Sequence, residues 1–337
     1  MILFVVIATL FICMLLFPFL LALSSFDKTN EHSLIVKSDN VRDPRYFPKA
    51  FGALMEKALE NYDGGDTIML SKRERIIIPP FCSAEQDGVV FSNEDLVVER
   101  VMNFTKEIYC RADAKLFEGT SMRAMACLGT LTLGDGCVVG RWVDGERSLT
   151  TGDGCFLGIS ASSDRELRLG TDCVFRRLYA ADVSVGEPGE PKNPPEIQPS
   201  GEPHRDMQET EDMSETQGNV LCLHNFLVGE ASVIEGSLKA RGSIHVKRGA
   251  RISGNLFANG DIIIDSGAFI GGNVFSQGSI YIGPKCQVGR RGRIKSVVAR
   301  GAVFLSEGTR VFGYVSGEEN GETVMQMDYL SLISGKY

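Results

Sequence analysis

Residues 219–290 repeat with a period of eighteen residues, and this period constrains the fold more than any other feature of the chain. Four apolar positions keep the period through four copies, and their first copies are Val220, Phe226, Val228 and Ile234. Glycine recurs at the same step, at Gly242, Gly260 and Gly278. A short fixed period of β-branched residues with glycine between them is typical of a β-solenoid.

Each eighteen-residue unit divides into three sixes, and most sixes carry two apolar residues two positions apart, as Ile244 and Val246 are. Side chains two apart on a strand point to the same face of a sheet. Each six is therefore predicted to be a short strand with two inward side chains, followed by a corner. Three strands are predicted to close one triangular coil, and successive coils to stack about 4.8 Å apart.

The eighteen-residue step also appears earlier in the chain. The phrase Leu-Thr-Leu-Gly-Asp-Gly-Cys-Val-Val-Gly, or a variant of it, occurs at 131–140, 149–158, 167–176 and 280–289. A looser copy is predicted to begin at Ile108, with Ala114 in the position of Cys137. Because Ile108 lies 23 residues before Leu131, this copy is predicted to contain a five-residue corner insertion.

Three cysteines occupy one position in successive coils, at Cys137, Cys155 and Cys173. A metal or redox site would need thiolates with converging ligands, and no histidine lies in residues 108–184. The equivalent position of the later block holds small residues, Ser232, Ala250 and Ala268. The three cysteines are therefore interpreted as small core residues. The nine cysteines of the chain are predicted to be free thiols in a reducing compartment.

An uncharged apolar stretch starts at Ile2 and ends at Leu23, which is long enough to cross a bilayer. No basic residue precedes it, whereas Lys28, Lys37 and Arg42 follow it. The positive-inside tendency then places the rest of the chain in the cytoplasm. The predicted fold class is an all-β β-solenoid with this N-terminal transmembrane helix, and a cleaved signal peptide is the alternative.

The segment after the anchor is predicted to contain a helix over residues 43–62, with Phe47, Phe51, Leu54 and Ala58 on its apolar face. Two interpretations remain open: the helix covers an end of the solenoid, or it docks a partner beside the membrane. Short strands without a clean period are predicted at 68–70, 76–78, 89–91 and 96–101.

Composition divides the chain into six parts: 1–24, anchor; 25–107, membrane-proximal segment; 108–184, first block; 185–218, acidic proline-rich disordered loop; 219–315, second block; 316–337, tail. The tail is mildly apolar over 324–333 and is predicted to cover the terminal edge. Residues 186–218 contain nine acids and two bases, a net charge of −7.

The second block is basic, with twelve bases and five acids over 219–315, a net charge of +7. Such a surface attracts phosphates or anionic lipids. The candidate contacts for an anionic surface are Arg290, Arg291, Arg293, Lys295 and Arg300. The alternative is an ordinary solvated surface.

No catalytic chemistry is evident in the sequence. The four histidines are scattered, and there is no phosphate loop, dinucleotide-binding fingerprint or nucleophile elbow. No catalytic residue, cofactor or metal ligand is therefore predicted, and the chain is not expected to be an enzyme.

The glycine-led phrases Gly-Ser-Ile-His-Val at 242–246 and Gly-Asp-Ile-Ile-Ile at 260–264 resemble the bactofilin family of polymer-forming bacterial cytoskeletal proteins. The resemblance is best over 219–315 and weaker over 108–180. It implies a right-handed triangular β-helix that polymerises end to end without nucleotide, often at the inner membrane. It also implies a scaffold for cell-envelope or polarity machinery. The anchor, the additional block and the long interruption depart from the usual short pattern.

The expected partners are other copies of the chain, the membrane through the stretch from Ile2 to Leu23, and cell-envelope proteins; nucleic acid is not expected. A second hypothesis is a membrane-tethered module that binds an anionic polymer or lipid. A third is a hexapeptide-repeat acyltransferase, but only three of eight sixth-position residues are followed by glycine. The expected location is the bacterial inner membrane, with the C-terminal part in the cytoplasm.

Overall fold

The computed structural model describes residues 43–60, 68–70, 76–77, 85–186, 213–216 and 218–325. The chain divides into two compact units, 1–46 and 47–337, and all strands belong to the second. The predicted anchor, most of the acidic loop and the tail beyond 325 lie outside the described residues. Among the described residues, no helix has the length and apolar character needed to cross a membrane.

One helix and thirty strands make up the described secondary structure. The helix and the first fifteen strands are α1 (Tyr46–Glu60), β1 (Ile68–Leu70), β2 (Ile76–Ile77), β3 (Glu85–Gln86), β4 (Val90–Ser92), β5 (Leu96–Val97), β6 (Asn103–Cys110), β7 (Ala114–Leu116), β8 (Ser121–Cys127), β9 (Thr130–Leu133), β10 (Val138–Gly145), β11 (Ser148–Thr151), β12 (Ser160–Ser163), β13 (Glu166–Leu169), β14 (Val174–Val185) and β15 (Met213–Thr216).

The remaining strands form the second block and its last coil. They are β16 (Asn219–Cys222), β17 (Phe226–Val228), β18 (Val233–Ile234), β19 (Leu238–Ala240), β20 (Ile244–Val246), β21 (Arg251–Ile252), β22 (Leu256–Ala258), β23 (Ile262–Ile264), β24 (Phe269–Ile270), β25 (Val274–Ser276), β26 (Ile280–Ile282), β27 (Gln287–Val288), β28 (Lys295–Ala299), β29 (Val303–Ser306) and β30 (Arg310–Val324). Strand β30 continues past Val315, where the sequence placed the end of the block.

The predicted β-solenoid with coils of about eighteen residues is confirmed, and it contains about 12 turns. In the second block, Val220 pairs in parallel with Leu238, and Leu238 with Leu256. Three sheets result. We call them face A (β16, β19, β22, β25, β28), face B (β17, β20, β23, β26, β29) and face C (β18, β21, β24, β27).

The inward residues of both blocks form one continuous apolar core. Ile244, Val246 and Ile252 are fully buried, as are Leu131 and Leu149 in the first block. Because every coil contributes inward side chains from three sides, the core runs as a column along the stack. Each coil is stabilised chiefly by its two neighbours.

The first block begins earlier than the sequence indicated, because β1 pairs with β4 and β4 with β6. The four short strands predicted between residues 68 and 101 therefore belong to coils. The predicted alignment of Ile108 with Leu131 is wrong. Ile108 pairs with Met125, and Ala114 pairs with Leu131. These pairs keep a step of 17 residues, so the predicted five-residue insertion is not present there.

Polar side chains at the corners fix the register between coils. The Ser237 backbone N–H donates to the Asn219 side-chain oxygen at 2.8 Å, and the Asn273 N–H donates to that of Asn255 at 2.8 Å. Each corner side chain thus satisfies a backbone donor one coil further on. A register slip would leave these donors without their side-chain partners.

Helix α1 packs on a lateral side of the first block and does not cover an end. This side is the sheet of β1, β4, β12 and parts of β6, β8, β10 and β14, which we call face A of the first block. The Phe51 ring lies 6.1 Å from that of Tyr109 and 5.5 Å from that of Trp142. Gly52 lies beside the same ring, and a Cβ there would be at an ordinary contact distance of 3.5 Å from it.

The predicted apolar face of α1 is mostly wrong. Phe47, Leu54 and Ala58 are exposed, whereas Pro48, Gly52 and Met55 are buried against the sheet. The buried stripe lies about 100° around the helix from the one that hydropathy alone selects. Glu56, described next, pairs with residues of the sheet and holds this side of the helix towards it.

Glu56 joins α1 to the sheet. The Tyr109 hydroxyl donates to its carboxylate at 2.7 Å, and the Arg111 Nε–H donates at 2.9 Å. Arg111 also lies over the Phe91 ring, 5.2 Å from its centroid, and donates to the Asn93 side chain. The hydrogen bond from Arg111 lowers the pKa of Glu56, and burial with the bond to Glu56 raises the pKa of Tyr109.

Acid is predicted to weaken the docking of α1. Because the folded-state pKa of Glu56 is lowered, its contribution is complete above the ordinary glutamate pKa and is lost as pH falls through the lowered value. Trp142 is the only tryptophan of the chain and contacts Phe51, so its fluorescence in an acid titration reports the docking.

Two variants separate Glu56 from the other acids. Glu56→Gln is expected to abolish the acid-dependent step of Trp142 fluorescence, whereas Glu60→Gln, on the exposed side of α1, is expected to retain it. A step of unchanged size in Glu56→Gln would contradict the assignment.

Candidate functional site

The stacked cysteines are core residues. Cys137, Cys155 and Cys173 are buried, and each thiol lies 3.3 Å from a backbone carbonyl oxygen of the preceding coil, to which it donates. The small-residue interpretation is confirmed, since Ala250 and Ala268 are buried as well. The described residues contain no group of three His, Cys, Asp or Glu side chains that could hold a metal.

Hydrogen bonding along this column shifts the pKa values of its thiols in opposite directions, and the bond with Cys155 lowers the pKa of Cys137. The hydrogen bond with Cys137, together with burial, raises the pKa of Cys155 to about 11. The hydrogen bond with Cys155 and burial raise the pKa of Cys173. Since the thiolate is the reactive form, the raised pKa values make Cys155 and Cys173 weak nucleophiles, and burial keeps reagents from all three thiols.

The two blocks meet at their C-terminal ends, and this junction was not predicted. Strand β14, the last coil of the first block, runs antiparallel to β30, the last coil of the second. Pairing extends around the coil, from Val174 opposite Glu322, through Leu178 opposite Val315, to Ser184 opposite Arg310. Strand β14 therefore covers the terminal edge of the second block, and the tail beyond residue 325, predicted to do so, lies outside the described residues.

Polar contacts seal this junction over a sequence separation of 150 residues. The Thr323 hydroxyl accepts the Cys173 N–H at 2.8 Å and donates to the Gly170 carbonyl oxygen at 2.8 Å. The Arg310 Nε–H donates to the Asp182 carboxylate at 2.8 Å, where both side chains are mostly buried. No sequence signal marks this junction, since the glycine-free run of β14 is matched by a longer one over residues 89–118.

The N-terminal edges of both blocks keep unpaired backbone within the described structure. Strands β1 to β3 pair only towards β4 to β6. At the second block, β15 covers β16, whereas β17 and β18 pair only with β20 and β21. Phe226 N–H and the Val228 carbonyl bond to the next coil, so strand alternation directs the Leu227 N–H and carbonyl towards the open edge.

A basic turn projects from the second block at the corner before β28. Val274 pairs with Val297, a step of 23 residues (297 − 274), five more than the period of eighteen. The Arg293 N–H donates to the Arg290 carbonyl oxygen at 3.0 Å, and Gly292 has a φ of 78°. This left-handed conformation favours glycine and closes the tight turn. The insertion predicted near Ile108 occurs here instead.

The five predicted anionic contacts fall into two groups. Arg290, Arg291, Arg293 and Lys295 lie on or beside the turn, and all but Lys295 are exposed. Arg300 is also exposed but follows the other end of β28, about 17 Å away along the five-residue strand. Arg290 additionally stacks over the buried Phe269 ring at 5.4 Å.

Comparison of the chain with models of known families gave no match, and comparisons with curated proteins and with solved structures gave none either.

Thiol reagents are predicted to spare the cysteine column in the native protein. Burial should keep Cys137, Cys155 and Cys173 unlabelled by iodoacetamide at neutral pH until the chain unfolds. Peptide mass spectrometry of native and denatured samples measures this at each site. Rapid native labelling of Cys155 would contradict a purely structural role.

The junction is predicted to depend on Asp182. Asp182→Ala removes the partner of a mostly buried guanidinium and should lower the free energy of unfolding by about 1.5–3 kcal/mol. The matched control is Glu166→Ala, which breaks an equally short but exposed pair with Arg168 and should cost at most about 1 kcal/mol. Denaturant titrations of the full chain measure both, and equal costs would contradict the prediction.

Proposed function

We propose that this protein is a non-enzymatic, bactofilin-like structural scaffold that assembles end to end through the N-terminal edges of its two blocks. The observation that carries the proposal is the antiparallel junction of β14 with β30. There the terminal coil of one block forms backbone hydrogen bonds with the terminal coil of the other along most of its length. That junction uses both C-terminal ends within one chain. The edges left for other copies are therefore the two N-terminal ones.

Backbone physics supports this assignment. An edge strand with unpaired N–H and carbonyl groups pairs readily with another chain unless it is covered or charged. The outward residues of the first coil of the second block are apolar, with Leu221, Leu227 and Val233 all exposed. Sheet edges that do not pair with another chain commonly carry charged side chains at such positions.

The resemblance of residues 219–315 to bactofilins adds the rest of the proposal. It suggests a right-handed helix, assembly without nucleotide, and a role in organising cell-envelope or polarity machinery at the bacterial inner membrane. The anchor from Ile2 to Leu23 would hold the assembly at the membrane, with the solenoid in the cytoplasm.

Electron microscopy of the purified full chain without nucleotide tests the assembly. About 12 turns at about 4.8 Å each predict an axial repeat on the order of 60 Å in any filament. Discrete particles at every concentration would contradict the proposal.

An edge variant sharpens this test. Leu227→Lys places a charge on the open edge at a position that is 57 % exposed, so assembly should fail while the fold persists. The control Val138→Lys changes a 44 % exposed residue of an interior coil and should leave filaments intact. Equal filament formation by both variants would exclude the edge at β17.

A further inference from the structure

Face A of the second block exposes a column of largely apolar side chains. Its outward residues pair in register from strand to strand, and they are Leu221, Lys239, Phe257, Phe275 and Val298. Phe257 is 37 % exposed, and its ring lies 6.3 Å from that of Phe275. The Lys239 ammonium lies 5.3 Å from the Phe257 ring centroid. The solvent side of a sheet is ordinarily polar, so this column indicates a contact surface.

The projecting turn forms one border of this face. Arg291 and Arg293 are exposed, and Ile294 beside them is 59 % exposed. Lys295 then begins β28 on the face itself. Guanidinium groups around an exposed aliphatic side chain suit a bilayer surface. The guanidinium groups bind lipid phosphates, and the aliphatic side chain enters the boundary between the headgroups and the acyl chains.

The opposite border is basic as well, through the exposed Arg241 and Arg300. Face A and its borders carry seven bases, Lys239, Arg241, Arg290, Arg291, Arg293, Lys295 and Arg300. The acids along the same borders are Glu235, Asp261, Glu318 and Glu319. The Asp261 carboxylate accepts the Ser279 N–H at 2.8 Å in the corner ladder, and Glu318 and Glu319 lie at the junction end. The middle of the face is therefore positively charged.

The same lateral side continues into the first block. Face A of one block joins face A of the other where Leu178 pairs with Val315 and Tyr179 with Tyr314. Helix α1, the first described element after the predicted anchor, covers the first-block half. The second-block half has no comparable cover among the described residues.

We propose that face A of the second block binds the surface of an anionic lipid bilayer. Arg291, Arg293 and Arg300 would contact lipid phosphates, with Phe257 and Ile294 at the level of the headgroups. A second copy of the same face is disfavoured because it would bring like charges together. The proposal does not depend on end-to-end assembly, since it uses a lateral side and leaves the strand edges free.

Photocrosslinking to lipid tests the proposal on the full chain. Phe257→p-benzoylphenylalanine places a crosslinker on face A, and Val233→p-benzoylphenylalanine places one on exposed face C of the same block. Each protein is reconstituted in vesicles of phosphatidylcholine, with or without phosphatidylglycerol. Because the readout is local contact, a membrane anchor elsewhere in the chain does not produce it.

We expect lipid adducts at position 257 in anionic vesicles, at least about tenfold more than at position 233. Arg291→Glu with Arg293→Glu should reduce the adducts about tenfold. The control, Arg248→Glu with Lys285→Glu, makes the same charge change at the corner between faces B and C and should not.

Two results would overturn the proposal. Equal lipid adducts at 257 and 233 would show that face A does not meet the bilayer. Protein adducts at 257, within or between chains, would make the face a protein interface instead. Microscopy of the same samples reports assembly separately, so failure of lipid contact and failure of filament formation are distinguished.

Discussion

The backbone hydrogen bonds between successive coils are the interaction on which the rest of this structure depends. Most strands of the second block have only two or three residues, and such a strand has no stability of its own. Stacking supplies partners on both sides and buries two inward side chains per strand. For the same reason, the terminal coil of a stack has backbone groups without hydrogen-bond partners. Several features of this structure cover such groups.

The ends and sides of the solenoid are covered in different ways. At the C-terminal ends the two blocks pair with each other, so one polypeptide closes its own edges with β14 and β30. At the start of the second block, β15 covers one strand of three, and β17 and β18 retain open edges within the described structure. Along the sides, α1 covers face A of the first block through Phe51, Met55 and Glu56.

The sequence was informative where the structure is periodic and uninformative where it is not. The coil length, the three faces and the burial of Cys155 follow from residues repeated every eighteen positions. The β14–β30 junction joins residues 150 apart, as at Cys173 and Thr323, and no period marks that pairing. The buried side of α1 was not predicted from hydropathy because Glu56 holds it, and the partners of Glu56, Tyr109 and Arg111, lie over fifty residues away.

The junction has a consequence for synthesis of the chain on the ribosome. The first block is complete when Val185 emerges, but its closing strand begins at Arg310, 125 residues later (310 − 185). At about 5–20 residues per second, this interval lasts roughly 6–25 seconds. Throughout this interval, the hydrogen-bonding edge of β14 has no partner strand. The strongly acidic segment 186–218 is synthesised directly after β14. Repulsion between the acidic segments of neighbouring nascent chains would keep their unpaired β14 edges apart until β30 is synthesised.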